Sequence, residues 1–387
     1  MQSVRVVGDL SSVPEAAWDH LVGEGSPFLE HRWLRALEES GCVEAETGWI
    51  PRHVTVWRGE QLVAACPAYV KLHSMGEFVY DWSWAHAARQ LGLPYYPKLI
   101  VGVPFTPVTG QRLLVRPGPD AEELRQILVA GLLELGKQLK CAGLHVLFPE
   151  AEESQALEDL GGHLRLQSQF HWTNQGYADF EDFLKRAMSG KRRGEVRRER
   201  RRLAESGLEV RVLEGEQIDE AALAAMQGFY TDTCWKFGGR SYLNPDLWAW
   251  LLEGFRDRLH LVLAYDQGRP IAGALNVQKG ERLYGRYWGC SEERPYLHFE
   301  VCYYRAIEHC IERGLGVFEP GHGGGHKHPR GFEPTITRSN HWLTDPRLSG
   351  PIEDFLVRER AAVLESVGEL ARSAPVAAPT GAPPPRR

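Results

Sequence analysis

Between Glu281 and Pro334 the chain gathers side chains that can move protons or hold charge: Arg286, Tyr287, His298, Glu300, Glu319, His326 and Lys327. Groups of this kind suit chemistry at a carbonyl, which needs a base and a donor for a developing oxyanion. A base working near neutrality is a histidine, or a carboxylate raised by burial. His298, Glu300 and His326 meet that description, and Tyr287 could protonate a leaving group. These four are the candidate catalytic groups, with Lys327, Arg286 and Glu319 as candidate substrate contacts. Structural roles compete with each assignment: Glu300 in a helix first turn interacts favourably with the dipole, and a tyrosine beside Trp288 suits a core.

Two further clusters carry chemistry. Lys71, His73, Ser74, Glu77 and Asp81 lie close together among aromatic residues and could bind an acceptor, or be turn residues. His322, His326 and His328 share a glycine-rich loop. Their spacing matches no ligand motif and no cysteine or carboxylate accompanies them, so no metal is expected.

Residues 185–202 hold ten lysines and arginines against two acids, Glu195 and Glu199. Such density could hold phosphates through Arg192, Arg193, Arg197, Arg198 and Arg201, or form a solvated helix braced by i,i+4 pairs. Gly190 and Gly194 interrupt the start, and the helix is expected from Glu195 to Gly207.

The elements that position the first cluster are a strand (Glu281 to Cys290), a helix (Leu297 to Arg313) and a short strand (Gly316 to Glu319). Phe299, Tyr303, Ala306 and Cys310 make the helix's apolar stripe, and Gly314 ends it. Upstream, strands at Leu208 to Leu213, Leu259 to Tyr265 and Pro270 to Gln278 and helices at Asp219 to Thr231 and Pro245 to Phe255 complete a βααβββαβ unit. The same order occurs earlier: Val4 to Val7, Pro14 to Val22, Phe28 to Ser40, His53 to Trp57, Leu62 to Lys71, Leu99 to Val103 with Gln111 to Val115, a helix Ala121 to Lys140 capped by Asp120, and Leu144 to Phe148. The expected division is 1–165, 166–346 with the basic segment 185–202, a helix over 347–372 centred on Ile352 to Leu370, and a disordered Pro/Ala tail over 373–387.

The 387 residues, 43% hydrophobic, suffice for two cores, and a net charge of −6 argues against a protein that coats nucleic acid. The N-terminus lacks the basic and apolar regions of a signal peptide. The longest apolar runs, Leu99 to Phe105 and Leu259 to Tyr265, are far too short to span a bilayer. Seven scattered cysteines without C-x-x-C fit reduced thiols, so a cytoplasmic location is expected.

The strings GWIPRHVTV, YVKLHSMGEFVYDWSWAHA, YYPKLIVGVPFTPVTGQRLL, KRRGEVRRERRRL, PIAGALN, LYGRYWGC, LHFEVCYYRAIE, HK-x-x-RGF and SNHW resemble a family of GNAT-like proteins described as acting in peptidoglycan biosynthesis or recognition. That family is similar to the Fem-type peptidyltransferases, which carry two GNAT domains in tandem. The resemblance spans about Pro27 to Ala362 and implies mixed α/β sheets in two acyltransferase units. It implies acyl or aminoacyl transfer to an amine of a peptide or cell-wall precursor, with acyl-CoA or aminoacyl-tRNA as donor. It does not choose the donor or fix the oligomeric state. Related proteins carry an acid where this chain has Gly325. The loop Ser291 to Tyr296 has two acids and a proline but no glycine, against the Gly-rich phosphate loop of CoA-dependent GNAT enzymes; the first unit's Arg116 to Asp120 is no better. These departures favour an alternative, a non-catalytic module binding a peptide or cell-wall fragment; a further alternative is a transferase acting on a ribosomally made peptide in a natural-product pathway.

Overall fold

The computed structural model describes residues 2–239 and 241–373. Its centre is an eleven-stranded sheet running through both halves of the chain. From the second half come Glu209–Glu214, Leu259–Asp266, Arg269–Lys279 and Arg282–Cys290, all antiparallel, then Val317–Glu319, parallel to its neighbour. Parallel neighbours require a crossover, and the helix from Leu297 to Arg313 supplies it. The first half repeats this plan: Lys98–Val101 lies parallel to Gly143–Leu147, with the helix Ala121–Gln138 between them in sequence. Its hairpin strands are broken near Pro67. One set joins the large sheet and the other forms a separate sheet of four strands.

Each half completes the other. His163–Thr173, which closes the first half, pairs with Val317–Glu319 and with Glu333–Leu343, while Glu333–Leu343 also pairs with Gly143–Leu147. Neither strand is among the sequence expectations, and the expected 165/166 boundary falls inside the first of them. The core is shared as well: Phe28 packs edge-on against Tyr284 at 5.4 Å and Trp33 against Phe255 at 5.1 Å. Buried Glu30 joins Arg258 (2.9 Å) and Lys279 (3.0 Å) across the halves.

The crossover helix buries Tyr303, Ala306 and Cys310 as its stripe requires, with Phe299 only half-buried. Gly314, at φ +66°, closes it with its N–H on Cys310 and Ile311 carbonyls. One turn, Glu300–Tyr304, is π-helical, a widening that shifts the phase of every side chain beyond it.

Two helices differ from expectation. The basic helix spans Gly190–Glu205 and contains both glycines, because the Ser189 hydroxyl accepts the Arg192 N–H at 3.4 Å and fixes the start. The last helix spans Pro346–Ser373, longer than expected, and packs Leu348, Ile352 and Leu356 against Trp84 and Tyr95. Asp120 makes no side-chain cap on its helix; its carboxylate instead holds Arg116 (2.7 Å) and Arg58. The expected tail, beyond Ser373, lies outside the described residues. Among the described residues no helix is long and apolar enough to cross a membrane, and the seven cysteines are free thiols.

Candidate active site at the strand notch

Pairing between Arg282–Cys290 and Val317–Glu319 ends with Tyr284 opposite Glu319. Beyond that point a cavity of about 250 Å³ opens, walled by the strand, the first turns of the crossover helix and the loop after Glu319. Its floor is a close backbone approach: a Cβ on Gly285 would stand 3.1 Å from Pro320 Cα, and one on Gly321 would stand 3.1 Å from the Gly285 carbonyl oxygen. Gly321 also has φ +84°, where only glycine is unstrained. A bulge re-aims the strand here. Leu275 faces Tyr287 and Asn276 faces Gly285, so Arg286 has no partner on that neighbour.

The cavity collects most of the first cluster. Arg286, Tyr287, His298, His326 and Lys327 line it, together with Trp288, Cys302 and Tyr303. Lys327 is 2% exposed and donates from Nζ to the Gly321 carbonyl at 2.6 Å; loss of solvent pulls its pKa down to about 8. His298 packs edge-on against Trp288 (5.0 Å) and Tyr303 (5.2 Å). Burial first, and then the positive field of His326 and Arg330, lower its pKa to about 4, which leaves a neutral imidazole. His326 has Nε2 2.8 Å from the Tyr303 hydroxyl, and burial followed by Lys327 and Arg330 holds its pKa below the usual histidine value. The Tyr287 hydroxyl is buried without a hydrogen-bond partner, its ring against Tyr230 (4.9 Å) and Trp248 (6.4 Å). Arg286 donates to the Phe105 carbonyl at 2.5 Å, tying the notch to the first half.

Glu300 is elsewhere. It sits two residues from His298, about 200° around a helix, and so cannot share that face. Its carboxylate takes two bonds from Arg200, each 3.0 Å, and lies 3.0 Å from Arg305 Nε. Glu300 is not among the residues lining the cavity, and no carboxylate is. A general-base role for Glu300 is therefore corrected to an anchoring one. Glu319 is likewise outside, buried beneath the notch with Oε1 on Arg282 (2.8 Å) and Oε2 3.8 Å from His171. Gly325 is exposed, and a Cβ there meets nothing within 4 Å.

The first-half cluster is mostly closed off from solvent. Lys71, Glu77 and Asp81 are 0%, 4% and 2% exposed, too closed off to meet an acceptor. Lys98 holds Glu77 (2.8 Å), Ser74 (2.9 Å) and Asp81 in one buried network. Lys71 lies over the Trp49 ring at 3.9 Å with Nζ 3.3 Å from His73 Nδ1, and burial brings its pKa down to about 7. His73 Nε2 is 2.9 Å from the Thr47 carbonyl.

The basic helix splits into two sets. Val196 and Leu203 face inward with Arg200 beside them, while Arg192, Arg197, Arg198 and Arg201 are exposed and Arg193 is half-exposed. Arg192 pairs with Glu195 (2.7 Å) and Arg197 with Glu181 (2.5 Å). Arg197 and Arg201 also line a cavity of about 400 Å³ whose wall includes Glu300. The three histidines of the glycine-rich loop do not converge: His322 faces Phe78 and Tyr80, His326 faces Tyr303, and His328 Nδ1 is 3.3 Å from the Phe332 carbonyl. Among the described residues no group of three or more His, Cys, Asp or Glu side chains is placed to hold a metal.

Tyr303, Cys302 and Trp288 were missed as site residues. Tyr303 counts as core by its stripe position, five residues from His298 and off its face on a regular helix; the π-helical turn Glu300–Tyr304 brings the two rings to 5.2 Å.

A profile of the FemAB-like family, described as peptidoglycan biosynthesis/recognition, matches residues 9–378. The chain belongs to the FemAB-like family. Among solved structures it is similar to FemX, at 13% identity and a TM-score of 0.52, covering 88% of this chain and 98% of that one. It is also similar to L-PGS from Bacillus licheniformis (12%, TM-score 0.49, covering 84% and 94%) and to a tandem GNAT protein from the clavulanic acid biosynthesis pathway (10%, 0.47, covering 89% and 99%). No curated protein matches the sequence. The FemAB-like chain thus has the tandem GNAT-like fold, with two mixed α/β units built on one plan.

Proposed function

We propose that this FemAB-like protein transfers an aminoacyl group from a charged tRNA to an amine of a peptide or peptidoglycan precursor, with the reaction centre in the notch beside Tyr284. The observation that carries the proposal is a cavity lined by Arg286, Lys327 and three imidazoles, and by no carboxylate. Such a wall disfavours an ammonium ion and stabilises a developing oxyanion, so it helps both halves of aminolysis.

In this reading the neutral amine attacks the ester carbonyl and the charge formed on oxygen is held by Lys327 and Arg286. The amine's proton passes to the neutral imidazole of His326, positioned by Tyr303. Collapse breaks the acyl–oxygen bond, and the ribose oxygen leaves with that proton. His298 keeps the wall uncharged on its side, and Tyr287 offers its unpartnered hydroxyl to substrate.

Two features support a tRNA over an acyl-CoA donor. The loop before the crossover helix has no glycine, and its Arg294 is already taken by Glu292 (2.7 Å) and Asp266 (3.0 Å). The exposed arginines of the basic helix offer a sequence-independent phosphate surface. The test is a mass shift on a muropeptide acceptor with charged tRNA and, separately, with acyl-CoA. Transfer from charged tRNA that is lost in Lys327→Met supports the proposal; no transfer from tRNA, or none that needs Lys327, counts against it.

A further inference from the structure

A second cavity, of about 420 Å³, adjoins the notch and lies between the halves. Phe78, Phe105 and Pro107 of the first half face Tyr230, Phe237 and Tyr242 of the second across it. The two cavities share Arg286, Tyr287, Trp288, Gly321 and His322, so a molecule seated in one reaches the other without crossing the fold. The walls differ sharply. The notch is cationic, whereas this chamber is aromatic, with Phe105 stacked on Tyr242 at 4.9 Å and 14°.

At the junction the Tyr287 hydroxyl and Arg286 Nε have no close hydrogen-bond partner, and the Arg286 guanidinium lies beside the Tyr287 ring. Buried donors rarely go unpaired, and a group on a bound molecule would satisfy both. Both can donate, so that group is a carbonyl or carboxylate oxygen. Phe237, 87% exposed at this chamber, is a large apolar side chain placed where solvent would otherwise disfavour it.

We infer that the aromatic chamber is a side-chain subsite, which takes the bulky apolar side chain of an amino-acid residue whose carbonyl or carboxylate oxygen sits on Arg286 and Tyr287. It rests on the reading that the notch holds the reacting groups, and it adds a substrate class: an aromatic or branched aliphatic residue in place of a small one. A side chain the size of phenylalanine suits the volume, and burying it favours binding by more than tenfold over glycine.

The test uses the full chain and two defined probes, N-acetyl-L-phenylalanine and N-acetylglycine, titrated by ligand-observed NMR. The phenylalanine probe is expected to bind at least tenfold more tightly. Cys234→Trp, which fills the chamber from the helix Glu220–Lys236, should reduce that preference to under threefold, while the exposed Trp235→Ala leaves it intact. Equal affinities, or no binding of either probe, overturn the subsite. Lys327→Met is the arm that separates the two claims: it abolishes transfer under the proposed function yet keeps the phenylalanine preference.

Discussion

Arg200 and Glu300, a hundred residues apart, meet in a two-point ion pair with both bonds at 3.0 Å. The same guanidinium also reaches Glu308 at 2.6 Å, so one arginine fastens the basic helix to two positions of the crossover helix. The pair straddles the π-helical turn that sends Tyr303 toward the notch. Its role is to hold that geometry while staying out of the cavity.

Glu300→Gln should therefore cost stability rather than chemistry. Removing one partner of a largely buried pair costs about 3–5 kcal/mol. A urea titration should show a lowered midpoint, while the transfer rate per folded molecule at low temperature changes less than threefold.

The pH dependence follows from Lys327 and His326. The Lys327 cation is lost as pH rises through about 8, so transfer should decline above that point, and Lys327→Arg should move the decline upward. Stability must run the other way. The folded pKa lies below the unfolded 10.5, so between about 8 and 10.5 the unfolded chain binds more protons and this group favours folding as pH rises. Loss of activity over this range is then not unfolding. On the acid side, the lowered pKa of His326 places the fall in rate below the ordinary histidine range. A kcat/KM profile from pH 4.5 to 10 with parallel melting curves checks both limbs.

Lys98→Met should prevent folding or cost about 3–5 kcal/mol, since it takes from the buried Glu77 and Asp81 carboxylates the ammonium that bonds both. Circular dichroism melts will decide this. A stable, well-folded Lys98→Met would mean that the network is not structural.

The exposed arginines answer to salt. Replacing Arg198 and Arg201 with glutamine should weaken binding of bulk tRNA and lower the slope of log Kd against log salt by about two. Fluorescence titrations between 50 and 300 mM salt give that slope; an unchanged slope removes this helix from the phosphate surface.

Much of this architecture is legible in the sequence because it is local. The stripe Phe299, Tyr303, Ala306, Cys310 and the end at Gly314 are read from spacing alone, and the strand–helix–strand repeat from order. What escapes is set by distant partners. His163–Thr173 and Glu333–Leu343 are strands because they pair across the halves, Thr335 opposite Gln169 and Ser339 opposite Arg165, far apart in the sequence. Glu300 and His298 look like companions in the sequence, yet helical geometry puts them on opposite sides. Arg200 differs from its exposed neighbours only by flanking the Val196 and Leu203 seam, a signal that charge counting hides. Lys71, Glu77 and Asp81 resemble a polar site because their burial depends on Lys98, which lies 17 residues beyond Asp81.

The central claim is that a carboxylate-free, cationic notch performs the transfer. The most direct measurement compares, by mass spectrometry, aminoacyl transfer from charged tRNA to a muropeptide amine in wild type, Lys327→Met and Glu300→Gln. The account predicts a loss of about a hundredfold or more in Lys327→Met and near wild-type turnover in folded Glu300→Gln. Full activity in Lys327→Met, with activity abolished in folded Glu300→Gln, would contradict it.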